Sequence, residues 1–364
     1  MKGKAAVFTG VGSPMEITEY TLPELAPGEI LVRVLLANIC GSDIHIWHGE
    51  VPWRTFPTIL GHEMAAKVHQ LGPGVSTDSM GQPLAVGDRV VYQYFYPCGR
   101  CWTCISGNRA ACPNRHARWM ATPSEQHPHF IGAYAQYYHL ASGQAVFKVP
   151  EELTDEEIAP LNCALSQVIY GFHQTRITYG DSVVIQGAGG LGINATAVAR
   201  EMGATNIIVI DKIKERLKLA QEFGADHIIN MEEYPTPRDR SRKIRELTGG
   251  GFADVVTELT GVPEAIPEGI SMTRVGGTYL VMGNISRGTS VEIDPFTIVS
   301  FSRKILGVTT YDSWVMPRAL QFLVKNRGKY PFHLILSHKF PLEEINQAFE
   351  QASKGSVTRA AIVP

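Results

Sequence analysis

The stretch Val183-Val-Ile-Gln-Gly-Ala-Gly-Gly-Leu-Gly192 decides the fold. A β-branched run passes directly into G-x-G-x-x-G, and a segment of helical length, Leu191–Met202, follows. In that setting Gly187, Gly189 and Gly192 let the backbone turn tightly and approach a pyrophosphate, whose charge sits at the positive end of the helix; Gly190 and Leu191 complete the loop. Taken alone, the same letters also describe an ordinary glycine-rich turn. The next apolar run argues against that, because Asn206–Ile210 ends at Asp211, about 20 residues on, where an acid meets the adenosine ribose. Asp211 accepts hydrogen bonds from ribose hydroxyls and repels a 2′-phosphate, so the expected cofactor is NAD rather than NADP. Arg216 is assigned to the cofactor too. With Lys212 and Lys214 it either tempers that preference or belongs to a solvated helix face.

Further along, short buried runs alternate with helical segments: Ser182–Gln186, Asn206–Ile210, His227–Asn230, Asp254–Leu259, Thr278–Met282 and Ile305–Thr309. Strands alternating with helices demand crossover connections, so these form a parallel, doubly wound α/β sheet. Upstream, Ala5–Phe8, Glu29–Leu36, Ala65–His69 and Arg89–Tyr92 are short runs separated by Pro27-Gly28, Gly72-Pro-Gly74 and Gly87-Asp88, a rhythm that suits a small antiparallel barrel. Downstream, the helical stretches Pro317–Lys325 and Leu342–Ser353 precede a last strand, Ala360–Val363, expected to return to the first domain. Ala121–His129, rich in His and Pro, reads as an exposed insertion.

With 364 residues the chain is long enough for two domains, each with its own core. Hydrophobic residues make up 44% and charged residues 19%, and the net charge is −2, so there is no basic field to recruit nucleic acid or anionic lipid. No apolar run approaches the roughly 20 residues of a membrane span, and Met1 leads into Lys2 and Lys4 without a signal-type core. A soluble, cytoplasmic protein with a small-molecule substrate is expected.

Of six cysteines, Cys98, Cys101, Cys104 and Cys112 crowd together while Cys40 and Cys163 stand apart. Four thiolates at such spacing can enclose one tetrahedral zinc and leave no open position, which marks a structural site. An iron–sulfur cluster and four reduced thiols are the competing readings, weakened by the absence of other redox motifs and by the ease with which clustered thiols oxidise. Cys40-Gly-Ser42-Asp43-Ile-His45 and Gly61-His62-Glu63 hold the mixed S, N and O donors of an open zinc site, with Cys163 available to complete it. Each also has a plain reading, as buried hydrophobe, core histidine or surface acid, and spacing alone does not choose.

The order C-G-S-D-x-H, G-H-E, four-cysteine lobe, then G-x-G-x-x-G with a downstream Asp resembles the zinc-containing medium-chain alcohol dehydrogenases, in the branch that includes threonine and sorbitol dehydrogenases. The resemblance covers essentially the whole chain. It implies a GroES-like antiparallel barrel domain over 1–163, completed by 311–364, a six-stranded Rossmann domain over 164–310, and an active site in the cleft between them. It implies Cys40, His62 and Cys163 as catalytic zinc ligands, with Glu63 able to ligate or to exchange with water, and Cys98, Cys101, Cys104 and Cys112 around a structural zinc. Ser42 then matches the hydroxyl that bonds the substrate alcohol and His45 the group that passes its proton to solvent. Asp43 orients His62, and Arg359 reaches the cofactor pyrophosphate.

On this reading the chain is an NAD-dependent zinc dehydrogenase of a primary or secondary alcohol. Polyol, threonine or other hydroxy-acid oxidation is the alternative within the family, and a dinucleotide-binding protein without catalysis the alternative outside it. Trp47, Trp53 and Phe56 follow the relay motif and Tyr92, Tyr94, Phe95 and Tyr96 precede the lobe; the resemblance implies that the latter stretch, Tyr94 especially, borders the substrate, and an aromatic wall favours apolar or cyclic alcohols, although such runs also serve as barrel core. By the same resemblance Cys163, where several polyol and threonine dehydrogenases keep no cysteine, leans toward alcohols. A homodimer or homotetramer assembled through the Rossmann domain is expected.

Overall fold

The computed structural model describes residues 1–51, 55–283, 288–355 and 357–364; Trp53 and Ser356 therefore lie outside the described residues. Two compact units emerge: Met1–Ser166 with Asp312–Arg327 and Phe332–Pro364, and Gln167–Tyr311 with Gly328–Pro331.

In the first unit the strands are β1 (Lys2–Phe8), β2 (Glu16–Thr21), β3 (Ile30–Asn38), β4 (Thr58–Ile59), β5 (Glu63–Leu71), β6 (Arg89–Tyr92), β7 (Tyr137–Leu140) and β8 (Val146–Lys148). Short helices interrupt them: α1 (Gly41–Trp47), α2 (Trp102–Ile105), α3 (Arg118–Ala121) and α4 (Asp155–Ile158). The sheets run β2-β1-β4 and β15-β16-β3-β5-β6-β8, where β15 (His338–Pro341) and β16 (Ala360–Val363) come from the C-terminal segment and β7 also pairs with β3. All these pairings are antiparallel except β15 with β16. Strand β16 is held through Ala361 opposite Asn38 and Ile362 opposite Ala37, so the tail returns to the first unit. Phe8, Val32, Met64, Tyr92, Tyr134 and Phe349 meet in one core.

Ala121–His129 is exposed at Ala121, Glu125, Gln126 and His127, as the composition suggests, but is anchored at Ser124 and Pro128. Ser124 is fully buried, donates its N–H to the Pro57 carbonyl at 2.8 Å and meets the Tyr20 hydroxyl at 3.2 Å, while the His129 ring stacks on Tyr20. Its prolines and histidines shape a docked loop.

The second unit begins within α5 (Ala164–Thr175) and alternates β9 (Ser182–Gln186), α6 (Gly190–Glu201), β10 (Asn206–Asp211), α7 (Lys214–Glu222), β11 (His227–Asn230), α8 (Pro237–Leu247), β12 (Ala253–Glu258), α9 (Ala265–Met272), β13 (Thr273–Val281), α10 (Phe296–Val299) and β14 (Lys304–Gly307). The six strands lie in the order β11-β10-β9-β12-β13-β14, every pair parallel. Strand β10 is buried at every position after Asn206, which is why its sequence is continuously apolar rather than alternating. Val184, Ile208, Val256 and Tyr279 centre the core. Residues 328–331 belong here because Tyr330 stacks on Phe223 and its hydroxyl donates to Glu201 at 2.8 Å. The remaining chain adds α11 (Val315–Lys325) and α12 (Ile345–Ser353) to the first unit.

The order of strands reverses between β9 and β12, where a ligand site is expected at the carboxyl ends. The glycine loop lies there. A Cβ on Gly192 would stand 1.8 Å from the Gly187 carbonyl oxygen, so α6 can approach the loop this closely only without a side chain. Gly192→Ala is expected to destabilise the unit by about 1–3 kcal/mol and to weaken dinucleotide binding. Thermal unfolding and calorimetric titration with NAD check this; wild-type values in both would refute the close-approach argument.

Candidate active site and zinc centres

Antiparallel register builds the first cluster. Strand β3 ends opposite the start of β5, with Asn38 across from Glu63, so the residues just beyond, Cys40 and His62, arrive at the same place. Cys40 caps the N-terminus of α1, and its N–H donates to Asp43 Oδ2 at 3.0 Å. The Tyr92 hydroxyl donates to the His62 carbonyl at 3.1 Å. Asn162 delivers the last member: its Nδ2 donates to the Met64 carbonyl at 2.9 Å and its Oδ1 accepts the Tyr92 N–H at 3.3 Å, which docks the turn carrying Cys163 onto β5 and β6.

The result is one donor atom each from Cys40, His62, Glu63 and Cys163, all buried and all within 4.8 Å of one another. Glu63 is fully buried, with Arg359 Nη2 donating to Oε1 at 2.5 Å and Asn38 Nδ2 lying 3.5 Å from Oε2. The sequence assigns Arg359 to the cofactor pyrophosphate; the structure places its guanidinium on Glu63, with Nη1 buried and unbonded. Asp43 Oδ1 stands 3.6 Å from His62 Nδ1, too long for the expected hydrogen bond. Its short bonds go to Cys40 N–H and to the Tyr134 hydroxyl at 2.8 Å, so Asp43 first of all shapes the loop that carries Cys40.

The electrostatics call for a cation. The bond to Cys163 and then the neighbouring His62 hold Cys40 well below the usual thiol range against burial, whereas the same bond and burial push Cys163 well above it. Burial alone would lower the imidazole of His62, yet Asp43 and Cys40 together raise it well above its ordinary value. Burial drives Glu63 up to about 8, although Arg359 pulls it down. Buried sulfur, nitrogen and oxygen donors packed together suit a zinc with exchangeable coordination, His62 offering Nε2 because Nδ1 faces Asp43.

Ser42 and His45 sit half-buried on α1, and His45 Nδ1 lies 2.5 Å from Glu50 Oε2. The expected aromatic wall separates into two groups. Tyr94 lies against the cluster, its ring 4.7 Å from that of His62 and its hydroxyl 4.0 Å from Cys163 Sγ. Tyr92 and Phe95 are buried and serve as core, Trp47 packs on Phe349, Tyr96 stacks on His116, and Phe56 is partly exposed against Phe8.

The second cluster is sulfur alone. Cys101 and Cys104 sulfurs are 3.5 Å apart, Cys98 and Cys112 3.6 Å, and Cys101 and Cys112 3.8 Å. Tetrahedral thiolates bound at about 2.3 Å stand about 3.8 Å from one another, so these spacings match a zinc site and are far too long for disulfides. Backbone N–H donors from Arg100 and Cys101 hold Cys98 near about 6 despite desolvation, while desolvation puts Cys104 at about 12.

In the second unit, Asp211 Oδ2 accepts the Ala188 N–H of the glycine loop at 2.6 Å and Oδ1 accepts the Ile213 N–H at 2.9 Å. Gly189 caps α6, and Gly190 and Leu191 open it, half-buried; Arg216 is half-buried on α7.

Two family models match: an alcohol dehydrogenase GroES-like domain over residues 26–151 and a zinc-binding dehydrogenase over 190–325. A 5-exo-hydroxycamphor dehydrogenase of Pseudomonas putida is 33% identical over 96% of this chain and 95% of its own length. The chain belongs to the zinc-containing medium-chain alcohol dehydrogenases. An L-threonine 3-dehydrogenase of Thermococcus kodakarensis is 28% identical, covering 100% of this chain and 98% of that protein. An alcohol dehydrogenase structure from Thermotoga maritima superposes with a TM-score of 0.94 at 31% identity over 100% of both chains. This dehydrogenase oxidises alcohols with zinc and a nicotinamide dinucleotide.

The lobe is held by its metal. Cys104→Ser is expected to lose one of two zinc equivalents and to lower stability by more than about 4 kcal/mol, beyond the common range for point mutations. Elemental analysis with thermal unfolding checks this; unchanged zinc content would refute the four-thiolate site.

Proposed function

We propose that this dehydrogenase oxidises an apolar secondary alcohol, cyclic in preference, with NAD rather than NADP. The observation that carries the reading is Tyr94, whose ring lies against His62 while its hydroxyl faces Cys163, with Phe95 edge-on at 4.8 Å behind it. An aromatic wall beside the donors suits hydrocarbon surface. A hydroxy acid or polyol would need further charged or polar partners, which an aromatic wall does not supply. The relative named for 5-exo-hydroxycamphor supports an apolar ring substrate.

Cys40, His62 and Cys163 would hold the catalytic zinc, with Glu63 as a ligand that exchanges with water; Cys98, Cys101, Cys104 and Cys112 would hold the structural one. When bound, the catalytic zinc polarises the alcohol oxygen and the nicotinamide accepts hydride. Ser42 accepts the alcohol proton in a hydrogen bond, and His45, at 30% side-chain exposure, passes it to solvent. Asp43 keeps the Cys40 loop in place. Arg359 donates to Glu63 and pulls its pKa down against burial, and the unbonded Nη1 of Arg359 would be a donor for the cofactor pyrophosphate.

For the cofactor, Gly187, Gly189, Gly190, Leu191 and Gly192 bring backbone N–H groups to the pyrophosphate. Asp211 takes the ribose hydroxyls. Lys214 is paired with Glu232 at 3.4 Å, which leaves the Asp211 carboxylate to decide against a 2′-phosphate; Arg216 contributes from α7. Assembly is proposed as a homodimer or homotetramer through the β14 edge, where Val275, Phe296, Val299 and Ile305 are exposed. Light scattering that finds only monomer would exclude it. Among the described residues no helix is long and apolar enough to cross a membrane. Six free thiols suit a reducing cytoplasm, and the net charge of −2 offers nothing to nucleic acid.

Initial rates across cyclic, linear, polyol and hydroxy-acid substrates test the reading. Cyclic apolar alcohols and NAD are each expected to win by about tenfold or more in kcat/KM, equivalent to about 1.4 kcal/mol. Cys40→Ala abolishes turnover while cofactor binding and lobe zinc persist. A polyol or hydroxy-acid preference would overturn the Tyr94 argument, equal use of NADP the Asp211 argument, and active Cys40→Ala the catalytic centre.

A further inference from the structure

Helix α1 ends in a way that its sequence dictates. Trp47 is its last residue, His48 caps it, and Gly49 adopts φ +77°, a left-handed conformation that glycine accepts without strain. The Gly49 N–H donates to the Ile46 carbonyl at 3.0 Å and the Glu50 N–H to the His45 carbonyl at 2.9 Å. These two bonds make a Schellman motif, whose geometry sets the residue two past the cap against the residue three before it, usually as an apolar contact. Here the two residues are Glu50 and His45. Oε2 of Glu50 comes 2.5 Å from Nδ1 of His45, with side-chain exposures of 50% and 30%.

No other side chain among the described residues is bonded to or ion-paired with His45. Helix α12 packs against α1, but its Glu350 pairs with Lys354, and Ser353 bonds His48 Nε2 at 2.7 Å. Asp43 is turned inward to Cys40 and Tyr134. Val11, which flanks Gly49, carries no charge. Glu50 is thus the charge that His45 meets.

We propose that Glu50 is the positioning residue of His45: its carboxylate accepts the Nδ1–H bond, fixes that tautomer and leaves Nε2 as the nitrogen that receives the relayed proton. The inference rests on the reading of His45 as the outer member of the proton relay. During alcohol oxidation the proton from the alcohol arrives at Nε2 and the imidazole becomes imidazolium. Glu50 remains a carboxylate throughout, and the proton leaves Nε2 for solvent. The half-exposed pair opens to water, as a proton outlet must.

The test is the pH profile of kcat/KM for alcohol oxidation by the zinc-loaded enzyme, for wild type, Glu50→Gln, Glu50→Ala and His45→Gln. Glu50→Gln keeps an acceptor oxygen but removes the negative charge facing the imidazolium, so the acidic limb moves to lower pH. Glu50→Ala removes the acceptor too, and besides the same shift lowers the plateau about 3- to 10-fold. His45→Gln loses that limb. If His45→Gln loses the limb while both Glu50 variants keep the wild-type limb and plateau, or change only in melting temperature, the assignment of Glu50 is overturned. If His45→Gln keeps the limb, the relay reading fails and the role of Glu50 falls with it.

Discussion

The pairing of Asn38 with Glu63, at the meeting of the end of β3 and the start of β5, is the constraint on which the catalytic centre depends. It brings a thiol and an imidazole into one buried site and buries a carboxylate beside them. Such a set is costly to bury: an unpaired charge in the interior costs several kcal/mol, and removing one partner of a buried pair costs about 3–5 kcal/mol. The chain offsets part of this with Arg359 on Glu63 and Asp43 near His62. A dication completes the balance, so stability and chemistry are coupled at the same atoms.

The two metal clusters differ in how the chain supplies them. The sulfur lobe is local: Cys98 to Cys112 lie within one loop, and backbone N–H groups already favour the thiolate of Cys98. The catalytic cluster is assembled from three distant segments, and its last donor, Cys163, is delivered by Asn162 bonding to Met64 across 98 residues of sequence. A local site can reform whenever its loop is intact. A dispersed site reports the correct fold of the whole first unit.

This contrast also explains what could be read from sequence. The glycine loop, Asp211, the four-cysteine lobe and Cys40-Gly-Ser-Asp-Ile-His45 are legible because their meaning lies in short spacings. Strand β10 is legible because it is buried on both faces. Asn38, Tyr134 and Asn162 carry no such signal, since each acts through long-range hydrogen bonds that only the packed fold creates. Arg359 is visible as a cation, but its partner Glu63 lies 296 residues away. Glu50 was within reach, because Gly49 after a short helix signals the turn that folds it back, yet nothing in the letters says that the contact is ionic. The aromatic run Tyr92–Tyr96 shows the opposite error: residue type suggested a wall, whereas β6 ends with Tyr92 packed in the core and the chain beyond the strand brings Tyr94 to the donors.

The most direct test of the account is anomalous diffraction at the zinc absorption edge from crystals of the zinc-loaded enzyme. Two peaks per chain are predicted, one amid Cys98, Cys101, Cys104 and Cys112, and one within about 2.0–2.3 Å of Cys40 Sγ and His62 Nε2. A single peak in the lobe, from protein that turns over alcohol, would contradict it.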